Sequence, residues 1–250
     1  MKRILRCGVV SLMAIGLLGA TSCAPASPAE PSPDPVIIAA GTFGPQVAYE
    51  PMAQRLRAGG RTVFIYVIPA PLSPYEDSAA PFAAYVERVL EDTGRSKVDI
   101  VGHSQGVVLA RYAMKFLGLA PHVDTLVALS GVQYGSPLAS LGVLIGFNCL
   151  GIVICQQVAQ GSDFMRSLNE PNDALPGVHY VNITTIYDEI VFPYTNNLMR
   201  GPGDVTNVVI QEQCPLRILG HLLLAVDGTT ASGIDDALSK RPITLDCFAI

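Results

Sequence analysis

Residues 98–110 read Val-Asp-Ile-Val-Gly-His-Ser-Gln-Gly-Val-Val-Leu-Ala, and this stretch decides the fold. A run typical of a buried strand ends at Gly102, and apolar residues at helical spacing follow from Gln105 to Leu117. Between them lies the Gly-x-Ser-x-Gly motif of residues 102–106. A sharp turn from strand to helix strains its serine and exposes the hydroxyl, so Ser104 is predicted to be a nucleophile. The alternative is an ordinary glycine-rich turn with a helix-capping serine.

Strands and helices alternate on both sides of this turn. The predicted strands cover residues 36–40, 62–68, 98–101, 123–129, 178–186 and 205–210, and the predicted helices cover residues 46–58, 79–93 and 105–117. Ser78 is the predicted N-cap of the second helix, and Gly94 follows its end. Strands separated by helices indicate an α/β fold with a mostly parallel central sheet flanked by helices. The chain has 250 residues, 50% of them hydrophobic, and can bury one large core.

A serine nucleophile needs a base, and the base needs an orienting acid. In folds built around such a turn, the acid follows the serine in the chain and the histidine follows the acid. His221 is therefore the predicted base, because it comes after every plausible acid. His122 and His179 are interpreted as structural, and His103, inside the motif, is expected to point away from the site.

The acid is expected at the end of a late strand. Asp188 is the predicted acid because it is the first carboxylate after the strand at residues 178–186. Glu189 is its close rival, and the alternative for Glu189 is a solvated carboxylate. The predicted oxyanion hole consists of the backbone N–H of Gln105, next to the nucleophile, and Thr42 in the loop after the first strand. The alternative for Thr42 is a simple turn residue.

A second informative stretch, Leu138 to Ile154, contains no charged residue. It lies within a predicted cap at about residues 136–170. One interpretation is a buried pair of helices, and the other is a lid or an acyl-binding wall over Ser104. A helix spanning a membrane is rejected here because it would split the catalytic domain.

The first residues have the pattern of an export signal. Lys2, Arg3 and Arg6 precede an uncharged run from Cys7 to Ala20, so residues 1–22 are predicted to be a signal peptide. Small residues before Cys23 suit either signal peptidase or lipidation of Cys23, which would anchor an exported protein to the cell surface. Residues 23–35 are rich in proline and are predicted to be a linker to the catalytic domain at residues 36–250.

Cysteine usage agrees with export, where disulfides persist. Beyond Cys7 and Cys23 the chain has four cysteines, which allow three pairings. The pairs Cys149–Cys155 and Cys214–Cys247 are favoured because the first two are neighbours and the other two lie late in the chain.

Taken together, these motifs resemble the α/β-hydrolase lipases, most closely the branch of Candida antarctica lipase B and its bacterial relatives. The matching segments are Gly41-Thr42, Ser104-Gln105-Gly106, Val123-Asp124, Tyr187-Asp188-Glu189-Ile190-Val191, Cys214-Pro215-Leu216 before His221, and Cys247. The resemblance implies a Ser104/Asp188/His221 triad, an oxyanion hole of Thr42 and Gln105, a bridge from Cys214 to Cys247, and hydrolysis of carboxylic esters including acylglycerols. The loop Ser130-Gly131-Val132-Gln133 lacks the acid found there in that lipase, and Cys149 and Cys155 are extra.

The predicted function is therefore hydrolysis of a lipid or another apolar acyl ester. An acyltransferase with the same triad and an inactive lipid-binding surface lipoprotein are the alternatives. The net charge of −5 argues against a nucleic-acid partner. The four histidines form no cluster with cysteines, so a catalytic metal is not expected. A triad mechanism needs no other cofactor, and none is expected.

Overall fold

The central sheet consists of parallel strands, and its inner strands are largely buried on both faces. A computed structural model describes residues 33–250, and within that range the sheet has six strands in the order β2-β1-β3-β4-β5-β6. All five neighbouring pairs are parallel. The strands are β1 (Val36–Ala39), β2 (Val63–Tyr66), β3 (Val98–His103), β4 (Val123–Leu129), β5 (His179–Thr184) and β6 (Val205–Val209). The predicted α/β architecture is thus confirmed.

Helices pack on both faces of the sheet. They are α1 (Gln46–Ala58), α2 (Tyr75–Thr93), α3 (Gln105–Phe116), α4 (Pro137–Gly142), α5 (Val153–Gln157), α6 (Asp163–Asn169), α7 (Ile210–Gln213) and α8 (Gly228–Leu238). Successive side chains of β1 alternate between two cores: Ile37 packs with residues of α2 and α3, and Ile38 packs with residues of α1 and α8. Burial on both faces explains why β1 is continuously apolar rather than alternating.

Helix α2 begins four residues earlier than the sequence pattern predicts. It starts at Tyr75, after Pro74, and Ser78 is a buried residue of its first turn, so the prediction that Ser78 is the N-cap is wrong. Proline has a fixed φ suited to the entrance of a helix, and Glu76 and Asp77 place negative charge in the first turn, where the helix dipole favours it. Gly94 ends the helix in a left-handed conformation, with φ of 65°.

The predicted signal peptide at residues 1–22, Cys23 and most of the linker at residues 23–35 lie outside the described residues. Within residues 33–250, no helix has both the length and the apolar character that crossing a bilayer requires.

Candidate active site

Ser104 occupies a sharp turn between β3 and α3. Its backbone has φ of 53° and ψ of −119°, a conformation that non-glycine residues rarely adopt. The two glycines of the motif allow this turn, because a Cβ on Gly102 would lie 2.9 Å from the Cα of Val107, and a Cβ on Gly106 would lie 2.2 Å from the carbonyl oxygen of Ala39. The turn places Ser104 at the carboxyl edge of the sheet, at the N-terminus of α3.

Asp188 and His221 are brought together at the same edge. Asp188 follows β5, and both of its carboxylate oxygens lie 3.0 Å from Nδ1 of His221. The two residues are each 2% exposed, so this contact is shielded from water. The remaining ring nitrogen, Nε2, is thereby left free of the acid.

The carboxylate of Asp188 is held in place by three further donors. Oδ1 accepts hydrogen bonds from the backbone N–H groups of Ile190 and Val191, at 3.0 and 2.7 Å, and Oδ2 accepts one from the side-chain amide of Asn197 at 2.9 Å. Burial favours the protonated acid, but the hydrogen bond from His221 and that from Val191 outweigh it, so the pKa of Asp188 lies below its usual range. The acid is therefore ionised and fixed in orientation.

Glu189 contacts the same histidine through the main chain. Its Oε2 accepts a hydrogen bond of 2.8 Å from the backbone N–H of His221. Gly220 makes room for this contact, since a Cβ at that position would lie 2.4 Å from Oε2 of Glu189. The structure thus places Asp188, and not its rival, against the imidazole, and gives Glu189 a contact that the sequence did not predict.

No hydrogen bond joins Ser104 to His221 within residues 33–250. In ligand-free enzymes such bonds are often long and tighten only when substrate binds. Ser104 and the Asp188–His221 pair, the residues of the predicted triad, thus lie at the same edge of the sheet.

Thr42 and Gln105 line the same cavity as Ser104. The cavity has a volume of about 320 Å³. Thr42 lies in the loop after β1, and Gln105 is the first residue of α3. The side-chain amide of Gln105 donates to the carbonyl oxygen of Pro71 at 3.0 Å, which fixes the side chain away from its own backbone N–H. The two residues of the predicted oxyanion hole thus line one cavity with Ser104.

The rest of the cavity is mostly apolar. Its other lining residues are Leu72, Tyr75, Val132, Ser136, Leu138, Ala139, Ile152, Ile154, Cys155, Val158, Ile190 and Val191. Seven of these residues, from Ser136 to Val158, belong to the segment predicted as a cap. An apolar wall beside a nucleophile suits an apolar part of a substrate.

The cap does not form the buried pair of helices that was one interpretation of its sequence. Between the short helices α4 and α5 the chain runs through a π-helix (Val143–Phe147) and a 3-10 turn (Asn148–Gly151). Leu144 is 81% exposed and Leu150 is 78% exposed. The segment therefore contributes one wall to the cavity and presents Leu144 and Leu150 to the surface.

Two disulfides form among the four cysteines of the described chain. Cys149 is bonded to Cys155 within the cap, and Cys214 is bonded to Cys247. These are the two pairs favoured by their positions in the sequence. The second bridge ties the segment just before His221 to the C-terminal residues.

The other histidines divide into two kinds. His122 is exposed, and Nδ1 of His179 contacts Asp204 at 3.0 Å at the start of β5, so both lie away from the Ser104 edge. His103 does not line the cavity with Ser104, in keeping with the prediction that it points away; its ring is buried and its Nε2 donates to the main-chain oxygen of His221 at 3.1 Å. Burial lowers the pKa of His103 to about 4, so the ring is neutral at pH 7.

Two residues at the site were missed by sequence reasoning. Tyr49 hydrogen-bonds to His103, and Asn197 bonds to Asp188, yet each lies in a segment with no catalytic motif. Asn197 also accepts from the N–H of Val132, in the loop where the resembled lipase carries an acid. Only spatial proximity identifies such residues, because their types and spacing carry no signal in the sequence.

No group of three or more histidine, cysteine or acidic side chains with the geometry of a metal site occurs in the described part of the chain.

Comparison with known proteins agrees with this geometry. A model of the family described as lipase (class 2) matches residues 82–227, more than half of the chain. A comparison with curated protein sequences finds no match.

Several solved structures are similar in fold. Aspergillus fumigatus lipase B superposes with a TM-score of 0.70 and 19% identity over 85% of this chain and 54% of its own, so the chain spans about half of that enzyme's length. A gene product of Listeria innocua has a TM-score of 0.60 and 15% identity over 86% of this chain and 99% of its own. Bacillus licheniformis lipase BlEst2 in mature form has a TM-score of 0.51 and 22% identity over 65% of this chain and 69% of its own. The expected α/β-hydrolase fold is thus confirmed.

Proposed function

The chain belongs to the lipase (class 2) family, and from that premise we propose that it hydrolyses carboxylic esters of apolar acyl groups through Ser104, His221 and Asp188. The observation that carries the proposal is the buried contact between Asp188 and His221 at the sheet edge where the Ser104 turn opens into an apolar cavity. Residues 33 positions apart form this contact, so it arises from the fold and not from local sequence.

The proposed reaction begins with attack of Ser104 Oγ on the ester carbonyl carbon. Nε2 of His221 accepts the hydroxyl proton, while Asp188 keeps Nδ1 protonated and stabilises the resulting imidazolium. The negative charge that develops on the carbonyl oxygen is held by the N–H groups of Thr42 and Gln105 and favoured by the N-terminus of α3.

The tetrahedral intermediate then collapses. The bond to the leaving alcohol breaks, His221 gives its proton to that oxygen, and the acyl group remains on Ser104. Water attacks this acyl-enzyme, with His221 again taking and returning the proton, and the carboxylic acid leaves. The reaction therefore needs only these side chains, water and the ester.

The apolar cavity supports an apolar acyl group as the part of the substrate that binds here. Its lining is aliphatic apart from a few groups that include Thr42, Ser104, Gln105 and Ser136. Burial of methylene groups against such a wall contributes about 0.8 kcal/mol for each one fully removed from water. Acylglycerols and other apolar esters are therefore the proposed substrates.

The N-terminal pattern and the two disulfides together support an exported protein, and Cys23 is the proposed site of lipid attachment. Membrane or cell-wall association would then come from that modification. Intact-mass measurement of the protein purified from a bacterial membrane fraction tests it: the expected N-terminus is a lipid-modified Cys23, and an unmodified mature chain would exclude the anchor.

Turnover of p-nitrophenyl esters of increasing acyl length tests the proposed activity. We expect release of p-nitrophenol by the wild type and a loss of at least about 1,000-fold for Ser104→Ala. A folded wild type that releases none across the series would contradict the proposal. Repeating the assay with added alcohol separates hydrolysis from acyl transfer, since a transferase forms the new ester in preference to the free acid.

A further inference from the structure

A chain of buried hydrogen bonds links the loop after β1, helix α1, the end of β3 and the loop of His221. The backbone N–H of Gly41 donates to the hydroxyl of Tyr49 at 2.7 Å, and that hydroxyl lies 2.9 Å from Nδ1 of His103. Nε2 of His103 lies 3.1 Å from the main-chain oxygen of His221. Tyr49, His103 and His221 are all buried. Neither Tyr49 nor His103 takes part in the proposed bond-making and bond-breaking steps.

The directions of these bonds follow from their acceptors. A carbonyl oxygen only accepts, so His103 donates from Nε2 to His221, and its Nδ1 then accepts the proton of Tyr49. The hydroxyl of Tyr49 is left to accept from Gly41. Burial, which lowers the pKa of His103 to about 4, keeps the ring in this neutral form. The donor and the acceptor of each of the three hydrogen bonds are therefore fixed.

This chain of hydrogen bonds joins segments that are far apart in sequence. Tyr49 lies in α1, 54 residues before His103 at the end of β3, and His221 follows His103 by 118 residues. At its other end, Gly41 immediately precedes Thr42 of the proposed oxyanion hole. Gly41 packs closely on the serine turn, since a Cβ there would lie 3.1 Å from Nδ1 of His103 and 3.3 Å from Cβ of Ser104.

We propose that Tyr49 and His103 are positioning residues. They fix the position of the His221 main chain relative to the loop that carries the proposed oxyanion hole. This inference rests on the proposed function. Neither side chain lines the cavity with Ser104, so neither touches substrate. Their effect is exerted through the backbone on both sides of the serine: the carbonyl of His221 on one side and the N–H of Gly41 on the other.

This role has a consequence for catalysis. The ring of His221 is oriented by Asp188, but the position of that ring also depends on the main chain that carries it. A displacement of about 1 Å at such a site can cost about 100-fold in rate. Loss of the Tyr49–His103 chain is therefore expected to slow the chemical steps while leaving the binding of the acyl group intact.

Two pairs of variants test this proposal. Tyr49→Phe removes the hydroxyl and keeps the ring, and Tyr180→Phe is its matched control, because Tyr180 is also buried and its hydroxyl also accepts a backbone N–H, from Leu175 at 3.1 Å. His103→Gln retains a donor near the position of Nε2, whereas His103→Asn reaches only the position of Nδ1. The readouts are kcat and KM on one p-nitrophenyl ester, the rate of labelling by a fluorophosphonate, and the thermal midpoint of each variant.

We expect Tyr49→Phe and His103→Asn to lower kcat and the labelling rate by about tenfold or more, with little change in KM. His103→Gln should recover most of the rate lost in His103→Asn. Tyr180→Phe should lower the thermal midpoint without lowering kcat.

Equal kcat for Tyr49→Phe and Tyr180→Phe would overturn the proposal, as would equal kcat for the two His103 variants. If Tyr49→Phe does not fold, the His103 pair decides alone. A folded wild type that the fluorophosphonate does not label would contradict the proposed function itself, whereas normal labelling of Tyr49→Phe would contradict only the positioning role.

Discussion

At the scale of single residues, two neighbouring carboxylates hold the proposed base in different ways. Asp188 is buried and bonds to the imidazole of His221, whereas Glu189 is exposed and accepts from the backbone N–H of the same residue. Sequence order alone left these two acids as rivals. The contacts separate their roles: one sets the tautomer of the ring and the other holds the main chain that carries it.

The role of Glu189 is tested by the pair Glu189→Ala and Glu189→Gln. The alanine variant loses the acceptor for the N–H of His221, and we expect kcat to fall by about tenfold. Glutamine keeps a carbonyl oxygen at the same reach and should retain most of the activity. Steady-state kinetics on one ester measures both, and equal losses in the two variants would show that the negative charge, not the hydrogen bond, is what matters.

His103 makes stability depend on pH. Its pKa is lowered from 6.5 to about 4, mainly by burial and further by His221, so between these pH values the unfolded chain binds a proton that the folded chain excludes. This contribution is complete above pH 6.5 and is lost as the pH falls towards 4.

The size of that contribution is about 3 kcal/mol in the free energy of unfolding. His103→Gln removes the titration. Urea unfolding with disulfides intact should therefore show that the wild type loses about 3 kcal/mol relative to this variant between pH 7 and pH 4. Parallel pH profiles for the two proteins would contradict the burial of a neutral His103.

The sequence predicts those catalytic candidates that can be recognised by residue type and by order along the chain. Ser104 is marked by its glycines, and Asp188 and His221 are marked by their order along the chain. Tyr49 and His103 carry no such signal, because their contact depends on how α1 packs against the end of β3. A favourable cap at Ser78 predicts that α2 starts at Ala79, but Pro74 and two early acids favour the observed start at Tyr75.

At the scale of secondary-structure elements, the two disulfides brace different parts of the molecule. Cys149 and Cys155 are separated by 6 residues within the cap, and Cys214 and Cys247 are separated by 33 residues and enclose the loop of His221 and helix α8. A bridge that closes a longer loop constrains the unfolded chain more. The cap also exposes many of its apolar side chains, so packing against the core stabilises it less than it stabilises the helices that flank the sheet.

Removal of each bridge should therefore have a different effect. The double variant of Cys214 and Cys247 to alanine is expected to lower the free energy of unfolding by about 3 kcal/mol. The double variant of Cys149 and Cys155 should mainly speed hydrogen exchange in residues 137–157 and leave exchange in the sheet unchanged. A loss of global stability as large from the cap bridge as from the other would show that the cap unfolds together with the core.

At the scale of the whole molecule, the parallel sheet brings the proposed catalytic residues to one edge. The carboxyl ends of β1, β3 and β5 lead to Thr42, Ser104 and Asp188, and the adjacent strands keep these ends in register. The high hydrophobic content of the chain divides between this doubly covered sheet, the N-terminal run and the cap. The cap contributes about half of the apolar side chains that line the cavity beside Ser104.

The cap is also where sequence reasoning stopped short. The lack of charge in residues 138–154 predicted either burial or a wall over the nucleophile, and both could be satisfied by apolar residues at any spacing. The structure divides the segment, with Ile152 and Ile154 lining the cavity and Leu144 and Leu150 exposed. The spacing of hydrophobic residues could not predict which of them line the cavity, because the chain there changes between α, π and 3-10 geometry within about 20 residues.

The central claim is that Ser104 is an activated nucleophile. Labelling with a fluorophosphonate, followed by peptide mass mapping, tests it most directly. The account predicts one covalent adduct, on the peptide that contains Ser104, formed by the wild type and absent from Ser104→Ala and from heat-denatured protein. A folded wild type without an adduct, or with an adduct on another residue, would contradict it.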